Sequence, residues 1–164
     1  MYTIRRATVN DVDTIGQLAE DIWWPTYSPI LEKEQIDYML GVIYAPEVLQ
    51  RQIEHNEQTF LLLLEDEQPV AFAAYSPRED NADVYKLHKL YCLPAMQGKG
   101  YGKALISEVA KQVKDAGAHK LDLNVNRYNK AKGIYQKMGF EVIYEEDIPI
   151  GPYFMNDYVM RKDL

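Results

Sequence analysis

Hydrophobic positions along the chain follow two spacings, and together they predict an alternation of helices and strands. Apolar residues three or four apart are typical of amphipathic helices, whereas unbroken or alternating apolar runs are typical of strands. The pattern predicts five helices, near residues 12–22, 31–40, 46–53, 105–113 and 130–138. It also predicts seven strands, near residues 2–6, 60–64, 70–75, 84–92, 121–125, 140–144 and 154–160.

Local signals sharpen several boundaries of these elements. Thr8 or Asn10 can cap the first helix, and Pro25 is expected to end it because proline disfavours helix in the residue before it. Pro46 suits a first helical turn, and Gly117 and Gly139 suit helix ends. The order of elements predicts an α/β protein with a mixed, mostly antiparallel sheet. No repeat or linker appears, so residues 1–164 are expected to form one domain.

Composition and charge narrow the class of protein. The 164 residues are 47% hydrophobic and 26% charged, which is ordinary for a globular chain. The net charge of −7 argues against a nucleic-acid partner, because an acidic surface repels phosphates. The same charge favours a cationic ligand such as an amine.

Cysteine usage and hydropathy exclude further classes. Cys92 is the only cysteine, so neither an intramolecular disulfide nor a cysteine-based zinc site is expected. We predict no metal. The sequence contains no signal-peptide pattern and no apolar stretch of membrane-spanning length, which predicts a cytoplasmic protein without a membrane partner.

The stretch with the clearest chemical signal follows the fourth predicted strand. Glycines 98, 100 and 102 lead from that strand into a helix. Closely spaced glycines let backbone N–H groups converge, and a helix start adds unpaired N–H donors with a positive dipole end. The segment therefore predicts a site for a phosphate or diphosphate, with Lys99 and Lys103 adding charge.

Other glycine-rich motifs fit less well. The P-loop pattern fails because Gly98 and Gly102 are one residue too close and Ala104 replaces the magnesium-binding hydroxyl. The dinucleotide-binding pattern fails at its third glycine, although Asp122 lies where a ribose-binding acid would be. A nucleotide-dependent enzyme and a loop that merely turns strand into helix stay open as alternatives.

Two motifs together carry a family resemblance. Residues 97–102 read QGKGYG and meet the pattern [QR]xxGx[GA], and residues 124–140 read NVNRYNKAKGIYQKMGF. Both resemble the GNAT superfamily of N-acetyltransferases, at the separation found there. The resemblance implies a GNAT-like fold with about seven strands splayed in the middle. It also implies an enzyme that moves an acetyl group from acetyl-CoA directly to an amine.

The resemblance assigns roles to individual residues. The loop is expected to hold the diphosphate of coenzyme A, and the preceding strand to offer backbone groups to the acetyl carbonyl and the pantetheine amides. Asn129 is favoured as a further contact, although many relatives place this asparagine where the chain has Tyr128; Asn124 and Asn126 are weaker candidates. The expected coenzyme-binding residues are Leu90, Tyr91, Cys92, Gln97, Gly98, Lys99, Gly100, Tyr101, Gly102, Lys103 and Asn129.

The resemblance also suggests the groups that move protons. Tyr135 is expected to be the general acid that protonates the departing sulfur, with a core aromatic as its structural alternative. Relatives often carry a glutamate base on the fourth strand, and this chain has none there. His88 can serve instead, alone or through water, because histidine titrates near neutral pH.

The acceptor is less defined by the sequence. Trp23, Tyr27 and Tyr153 are expected to line its pocket, because aromatic faces hold cationic amines; the alternative is a core role. The layout after residue 27 and the C-terminal tail loosely resemble the polyamine-acetylating branch, similar to spermidine/spermine N-acetyltransferases. A silent acyl-CoA-binding sensor and a protein or peptide N-acetyltransferase stay open. The two tail strands could pair between subunits of a homodimer.

Overall fold

Five α-helices and seven β-strands make up the regular structure, and a computed structural model describes all residues from 1 to 164. The helices are α1 Val12–Tyr27, α2 Lys33–Ile43, α3 Pro46–Glu54, α4 Tyr101–Asp115 and α5 Ala131–Lys137. The strands are β1 Tyr2–Arg6, β2 Thr59–Glu65, β3 Gln68–Pro77, β4 Val84–Cys92, β5 Lys120–Asn126, β6 Glu141–Ile150 and β7 Tyr153–Asp163. Short 3-10 helices span Val9–Asp11 and Pro94–Met96.

The strands form one mixed sheet in the order β1-β2-β3-β4-β5-β7-β6. The pairs β1–β2, β2–β3, β5–β7 and β6–β7 are antiparallel, whereas β4 and β5 run parallel. The α/β class and the mixed, mostly antiparallel sheet are therefore confirmed. The registered β4–β5 pairing covers Val84–Leu87, and the splay of the sheet stays a prediction.

Contacts within the chain define two compact units, each with its own packing. Unit 1 comprises Met1–Ser76 and Lys89–Glu108, and unit 2 comprises Pro77–His88 and Val109–Leu164. The expected single domain over residues 1–164 stays a prediction.

Unit 1 is built on the antiparallel strands β1, β2 and β3. The apolar run of β2 is buried almost throughout, as is the middle of β3, so both faces of this hairpin are covered. Helix α1 packs against α2 and α3. Completely buried side chains of this unit include Ile15, Ile36, Met39, Leu49, Leu62 and Phe72.

The first helix differs from its predicted form at both ends. Thr8 caps the 3-10 turn Val9–Asp11 instead of α1 itself, and Pro25 lies inside α1. The prediction that Pro25 ends the helix is wrong. Proline removes one backbone donor near the C-terminus, but the amide of Ser28 still bonds the Trp24 carbonyl at 3.0 Å. Buried Tyr27 keeps the last turn packed, and this outweighs the local cost.

Unit 2 is built on β5, β7 and β6. The tail strands β6 and β7 extend further than the apolar pattern predicts. In β6 the apolar run ends at Tyr144, and the strand continues through three acidic residues, 145–147, to Ile150. They pair from Glu141–Arg161 to Ile150–Tyr153. Pairing of these strands between subunits stays a prediction. None of the helices combines the length and the apolar character that a bilayer crossing demands.

Candidate functional site

The glycine segment between β4 and α4 adopts a backbone that favours glycine. Gly98 and Gly100 have φ angles of 87° and 82°, in the left-handed region that other residues rarely enter. A Cβ atom added at Gly98, Gly100 or Gly102 would meet no atom within 4 Å. The glycines thus leave open space beside the backbone, as a bound anion requires.

The start of α4 supplies hydrogen-bond donors beside this segment. The first bond of the helical ladder runs from the amide of Ala104 to the carbonyl of Gly100 at 3.0 Å. The amides of Tyr101, Gly102 and Lys103 therefore precede the ladder and have no acceptor within the helix. Together with the dipole of α4, they form an anion-binding helix start.

Glu65, at the end of β2, holds the glycine segment in place. Its carboxylate accepts a short hydrogen bond from the Tyr101 hydroxyl, and Lys99 Nζ lies 2.9 Å from its Oε2. The bond from Tyr101 and then that from Lys99 lower the pKa of Glu65, and the same contact raises the pKa of Tyr101 to about 12. Sequence reasoning missed Glu65, because no local signal indicates which strand end lies beside the loop.

The segment fits a diphosphate of coenzyme A. The donors are backbone amides, the space beside the glycines is open, and exposed Lys103 stands in the first helical turn. Lys99 forms an ion pair with Glu65, and this carboxylate partly offsets the positive charge that Lys99 was expected to add at the diphosphate. Gln97 is exposed at the entry of the segment, with an extended backbone.

The C-terminal half of β4 carries the other predicted coenzyme contacts in unit 1. Leu90, Tyr91 and Cys92 are half-buried. The hydroxyls of Tyr91 and Tyr27 lie 3.0 Å apart, which ties this strand to the end of α1. Burial raises the pKa of the Cys92 thiol, which disfavours a thiolate nucleophile here.

Two of the predicted acceptor-binding residues lie in an aromatic cluster of unit 1. Trp23 and Tyr27 are 3% and 6% exposed, and the Trp23 indole N–H donates to the Tyr44 hydroxyl at 3.2 Å. Edge-to-face and tilted ring contacts join the cluster, whose members are Trp23, Tyr27, Tyr44, Phe72 and Tyr91. This packing gives both residues a core role. Contact with an acceptor stays a prediction, as it does for half-buried Tyr153 in unit 2.

Lys89 is a buried cation of unit 1 that no sequence motif indicates. It is 6% exposed, and its Nζ donates to Gln58 Oε1 at 2.7 Å. The same ammonium lies 5.1 Å from the Phe60 ring centroid and 5.9 Å from that of Tyr44. Burial lowers the pKa of Lys89 to about 7, because its partners are neutral.

Unit 2 contains the two predicted proton-transfer residues. Tyr135 lies on α5, with its ring edge-to-face against Phe140 at 6.2 Å. The residue is partly exposed, yet burial raises the pKa of its phenol to about 12, so the group stays protonated at neutral pH. His88 is half-buried on β4. Their catalytic roles stay predictions.

Asn129 shapes the connection between β5 and α5. Its Oδ1 accepts a hydrogen bond from the Ala131 amide at 2.9 Å, and its own amide donates to the Asn126 carbonyl at 2.9 Å. Asn126 Oδ1 likewise accepts from the Tyr128 amide at 3.0 Å. These contacts give Asn129 a structural task, while its contact with the coenzyme stays a prediction.

Asp122 is engaged within unit 2. This fully buried carboxylate accepts hydrogen bonds from Arg161 at 2.7 and 3.0 Å and from Arg78 at 2.9 Å. Guanidinium groups bond both oxygens and the side chain is fully buried, so a ribose hydroxyl has no access to this carboxylate. The structure thus speaks against the dinucleotide alternative. It also contains no cluster of three or more His, Cys, Asp or Glu side chains arranged to hold a metal ion.

Comparison with known families identifies the family of the chain. A family model described as an acetyltransferase (GNAT) domain matches residues 28–152. The chain belongs to the GNAT acetyltransferase family. Membership confirms the predicted resemblance to the GNAT superfamily.

Individual GNAT relatives cover the chain to different extents. An uncharacterised N-acetyltransferase of Mycobacterium tuberculosis is 39% identical over 88 residues, and the match spans 53% of this chain and 56% of that relative. The chain thus spans just over half the length of that protein. The spermidine N(1)-acetyltransferase of Thermoplasma acidophilum is 26% identical over 97% of this chain and 95% of its own length.

A solved GNAT structure matches over the whole length. The crystal structure of the PaiA N-acetyltransferase from Thermoplasma acidophilum, in complex with coenzyme A, superposes with a TM-score of 0.86 at 27% identity. It covers 100% of this chain and 99% of its own. This match confirms the predicted GNAT-like fold.

Proposed function

We propose that this GNAT acetyltransferase transfers the acetyl group of acetyl-CoA directly to a primary amine of a small molecule. The observation that carries the proposal is the glycine segment, which joins left-handed glycines, open space and unpaired helix-start amides. The similarity to a spermidine N(1)-acetyltransferase over nearly the full chain supports a polyamine-like acceptor. The acidic net charge of −7 favours cationic acceptors as well.

The residues of unit 1 bind and orient the cosubstrate in this proposal. The amides of residues 98–103 hold the diphosphate, and Glu65 fixes the segment through Tyr101 and Lys99. Backbone groups of Leu90–Cys92 hold the acyl arm by strand-like hydrogen bonds. Binding both substrates in reactive geometry removes much of the entropic barrier of the reaction.

The residues of unit 2 move protons. The amine nitrogen forms a bond to the acetyl carbon, and the carbon–sulfur bond breaks. The nitrogen gives its proton to His88, directly or through water, and the sulfur receives one from Tyr135. Because burial raises the pKa of Tyr135 to about 12, the phenol keeps its proton and is a hydrogen-bond donor throughout the physiological pH range.

The first experiment tests binding and turnover separately. Thiol release is measured with acetyl-CoA and a panel of amines, and calorimetry measures coenzyme A binding to wild type, Gly100→Asp and Gly16→Ala. Gly100→Asp places a carboxylate against the diphosphate and strains a residue at φ 82°. We expect it to weaken binding by at least about 100-fold, or about 2.7 kcal/mol.

Gly16→Ala is the matched control. Gly16 lies inside α1 with open space around its Cβ, and alanine favours a helix interior. Its coenzyme affinity should equal that of wild type. Equal loss in both variants, or no loss in Gly100→Asp, would remove the glycine segment as the binding site.

The amine panel separates the rival functions. Turnover on small amines supports the proposal. Coenzyme binding without turnover on any amine or peptide points to a silent acyl-CoA sensor. Turnover restricted to peptide N-termini or protein lysines points to a protein N-acetyltransferase.

A further inference from the structure

Unit 2 contains buried polar atoms that lack partners. Three of the four buried side-chain atoms without a hydrogen bond are Asn124 Oδ1, Asp157 Oδ1 and Arg127 Nε. An unsatisfied buried polar group costs about 1–3 kcal/mol, and folded proteins retain few of them. Their concentration on β5, β7 and the residue after β5 indicates a place where a ligand or solvent completes the bonding.

Strand pairing places the two acceptor atoms side by side. Asp157 lies opposite Asn126 on β5, and Asn124 is two residues before Asn126, so all three side chains are on one face of the sheet. The Asn124 Nδ2 donates to Asp157 Oδ2 at 3.3 Å. The amide nitrogen is thus turned to the carboxylate, and one oxygen of each side chain is left as an acceptor.

Asp157 is buried, and no cation neutralises its carboxylate directly. The residue is 6% exposed. Burial raises the pKa of Asp157, while the bond from Asn124 and the charges of Lys86 and Arg127 lower it and Glu146 raises it. Neither cation forms an ion pair with Asp157 within 4 Å, and the terminal nitrogens of Arg127 are directed to Glu145 and Asp147. The free oxygen therefore lacks a positively charged donor.

The same face carries the candidate base of the reaction. Lys86 lies opposite Asp122 in the β4–β5 pairing, so it shares the face of Asp122 and Asn124. His88 is two residues further along β4 and, by the alternation of a strand, lies on this face as well. Within unit 2, the polar cluster and the candidate base are therefore on one side of the sheet.

We propose that Asp157 and Asn124 form an ammonium-binding subsite for the acceptor. Asp157 Oδ1 and Asn124 Oδ1 accept hydrogen bonds from a charged nitrogen that is not the one acetylated. An ammonium group supplies several donors and a positive charge, which the two unpaired acceptors and the buried carboxylate require. The class of acceptor is a diamine or longer polyamine. This inference rests on the proposed N-acetyltransferase function.

The test compares two amines that differ only in the second nitrogen, 1,4-diaminobutane and n-butylamine. Steady-state kinetics are measured for wild type, Asp157→Asn and Asp163→Asn. Asp157→Asn keeps the shape and removes the charge. We expect its KM for 1,4-diaminobutane to rise about 10-fold or more, the value of one charge-assisted hydrogen bond, with kcat and the KM for acetyl-CoA unchanged. Its kinetics with n-butylamine should equal those of wild type.

Asp163→Asn is the matched control, since it removes an exposed carboxylate from the same strand. It corrects for the general change in net charge. Equal effects of Asp157→Asn on both amines, or none on either, would overturn the subsite while leaving the N-acetyltransferase function intact.

A binding measurement without acetyl-CoA tests the ammonium subsite separately from the N-acetyltransferase function. Calorimetry with 1,4-diaminobutane alone should show binding to wild type that Asp157→Asn weakens. Binding of this kind in a protein without amine turnover would support the subsite and refute the function. Turnover without any Asp157-dependent binding would mean that solvent alone completes the bonds of the cluster. A thermal melt confirms that each variant folds.

Discussion

Each unit buries a charged side chain next to a strand of the sheet, and the two charges are compensated in opposite ways. In unit 2, Asp122 is fully buried and receives hydrogen bonds from two guanidinium groups. In unit 1, Lys89 is nearly as buried, but its partners are the amide oxygen of Gln58 and two aromatic rings. The first charge is stabilised by its surroundings, while the second is held in an environment that favours its neutral form.

The difference separates structural ionic groups from groups that respond to conditions. A buried carboxylate whose two oxygens are both bonded to cations is not available to a ligand. Its removal leaves those cations without a counter-charge. An amine among neutral groups changes its protonation near neutral pH. Asp157 lies between these limits, since one of its oxygens is paired and one is not. The degree of compensation therefore indicates where chemistry can occur.

The largest expected effect is the loss of stability in Asp122→Ala. The substitution leaves Arg78 and Arg161 without a counter-ion, and such a loss costs about 3–5 kcal/mol when the charges are buried. The two arginine side chains are 22% and 31% exposed, so we expect the lower end of that range. Urea unfolding measures the change.

The control for this variant is Asp163→Ala on β7, the strand that pairs with β5. Asp163 pairs with Lys120 at 3.5 Å, and its side chain is 85% exposed. Exposed ion pairs contribute only about 0–1 kcal/mol, so this variant should unfold almost as wild type does. If the two variants lose equal stability, the contrast between compensated and exposed charges is wrong.

These contacts also show which parts of the structure can be predicted from the sequence. Every strand and helix was located, because hydrophobic spacing is a local signal. Asp122 was placed correctly on β5, but its partners Arg161 and Arg78 are 39 and 44 residues away along the chain. Pairing over such distances depends on strand register, which the sequence does not state.

The residues of the candidate site differ in the same way: local sequence predicts some of them, and distant contacts determine the others. The glycine segment was predictable, since its function depends on backbone conformation that consecutive residues encode. Glu65 was not, because it reaches Tyr101 from 36 residues away. Trp23 and Tyr27 were expected to line the acceptor pocket, with a core role as the alternative, and the structure packs both almost entirely inside unit 1. Aromatic composition alone does not separate a pocket wall from a core.

A second prediction uses two tyrosines whose pKa values are both about 12 for different reasons. In unit 1 the hydrogen bond to Glu65 retains the proton of Tyr101, whereas in unit 2 burial keeps Tyr135 neutral. Only Tyr135 has a proton that is not already given to a carboxylate. We expect Tyr135→Phe to lower kcat by about 100-fold, the usual contribution of one positioned acid, with the KM for acetyl-CoA nearly unchanged.

Tyr128→Phe controls for the loss of a hydroxyl near α5, because Tyr128 is 74% exposed. It should retain the wild-type kcat. A Tyr135→Phe enzyme that turns over at the wild-type rate would leave Tyr135 with only its packing against Phe140 and would remove it from the reaction.

The most diagnostic effect is the pH dependence of stability at Lys89. The pKa of its ammonium falls from an ordinary 10.5 to about 7 on folding. Between these values the unfolded chain binds more protons than the folded one, so the contribution of Lys89 to stability rises with pH in this window. The slope is at most about 1.4 kcal/mol per pH unit.

Lys89→Met keeps the side-chain volume and cannot titrate, so its stability relative to wild type should be greatest at pH 6 and should decline towards pH 10. Lys103→Met, at an exposed position, should show a constant difference over the same range. A constant difference for Lys89→Met as well would mean that Lys89 keeps its ordinary pKa, and the contrast with Asp122 would then rest on geometry alone.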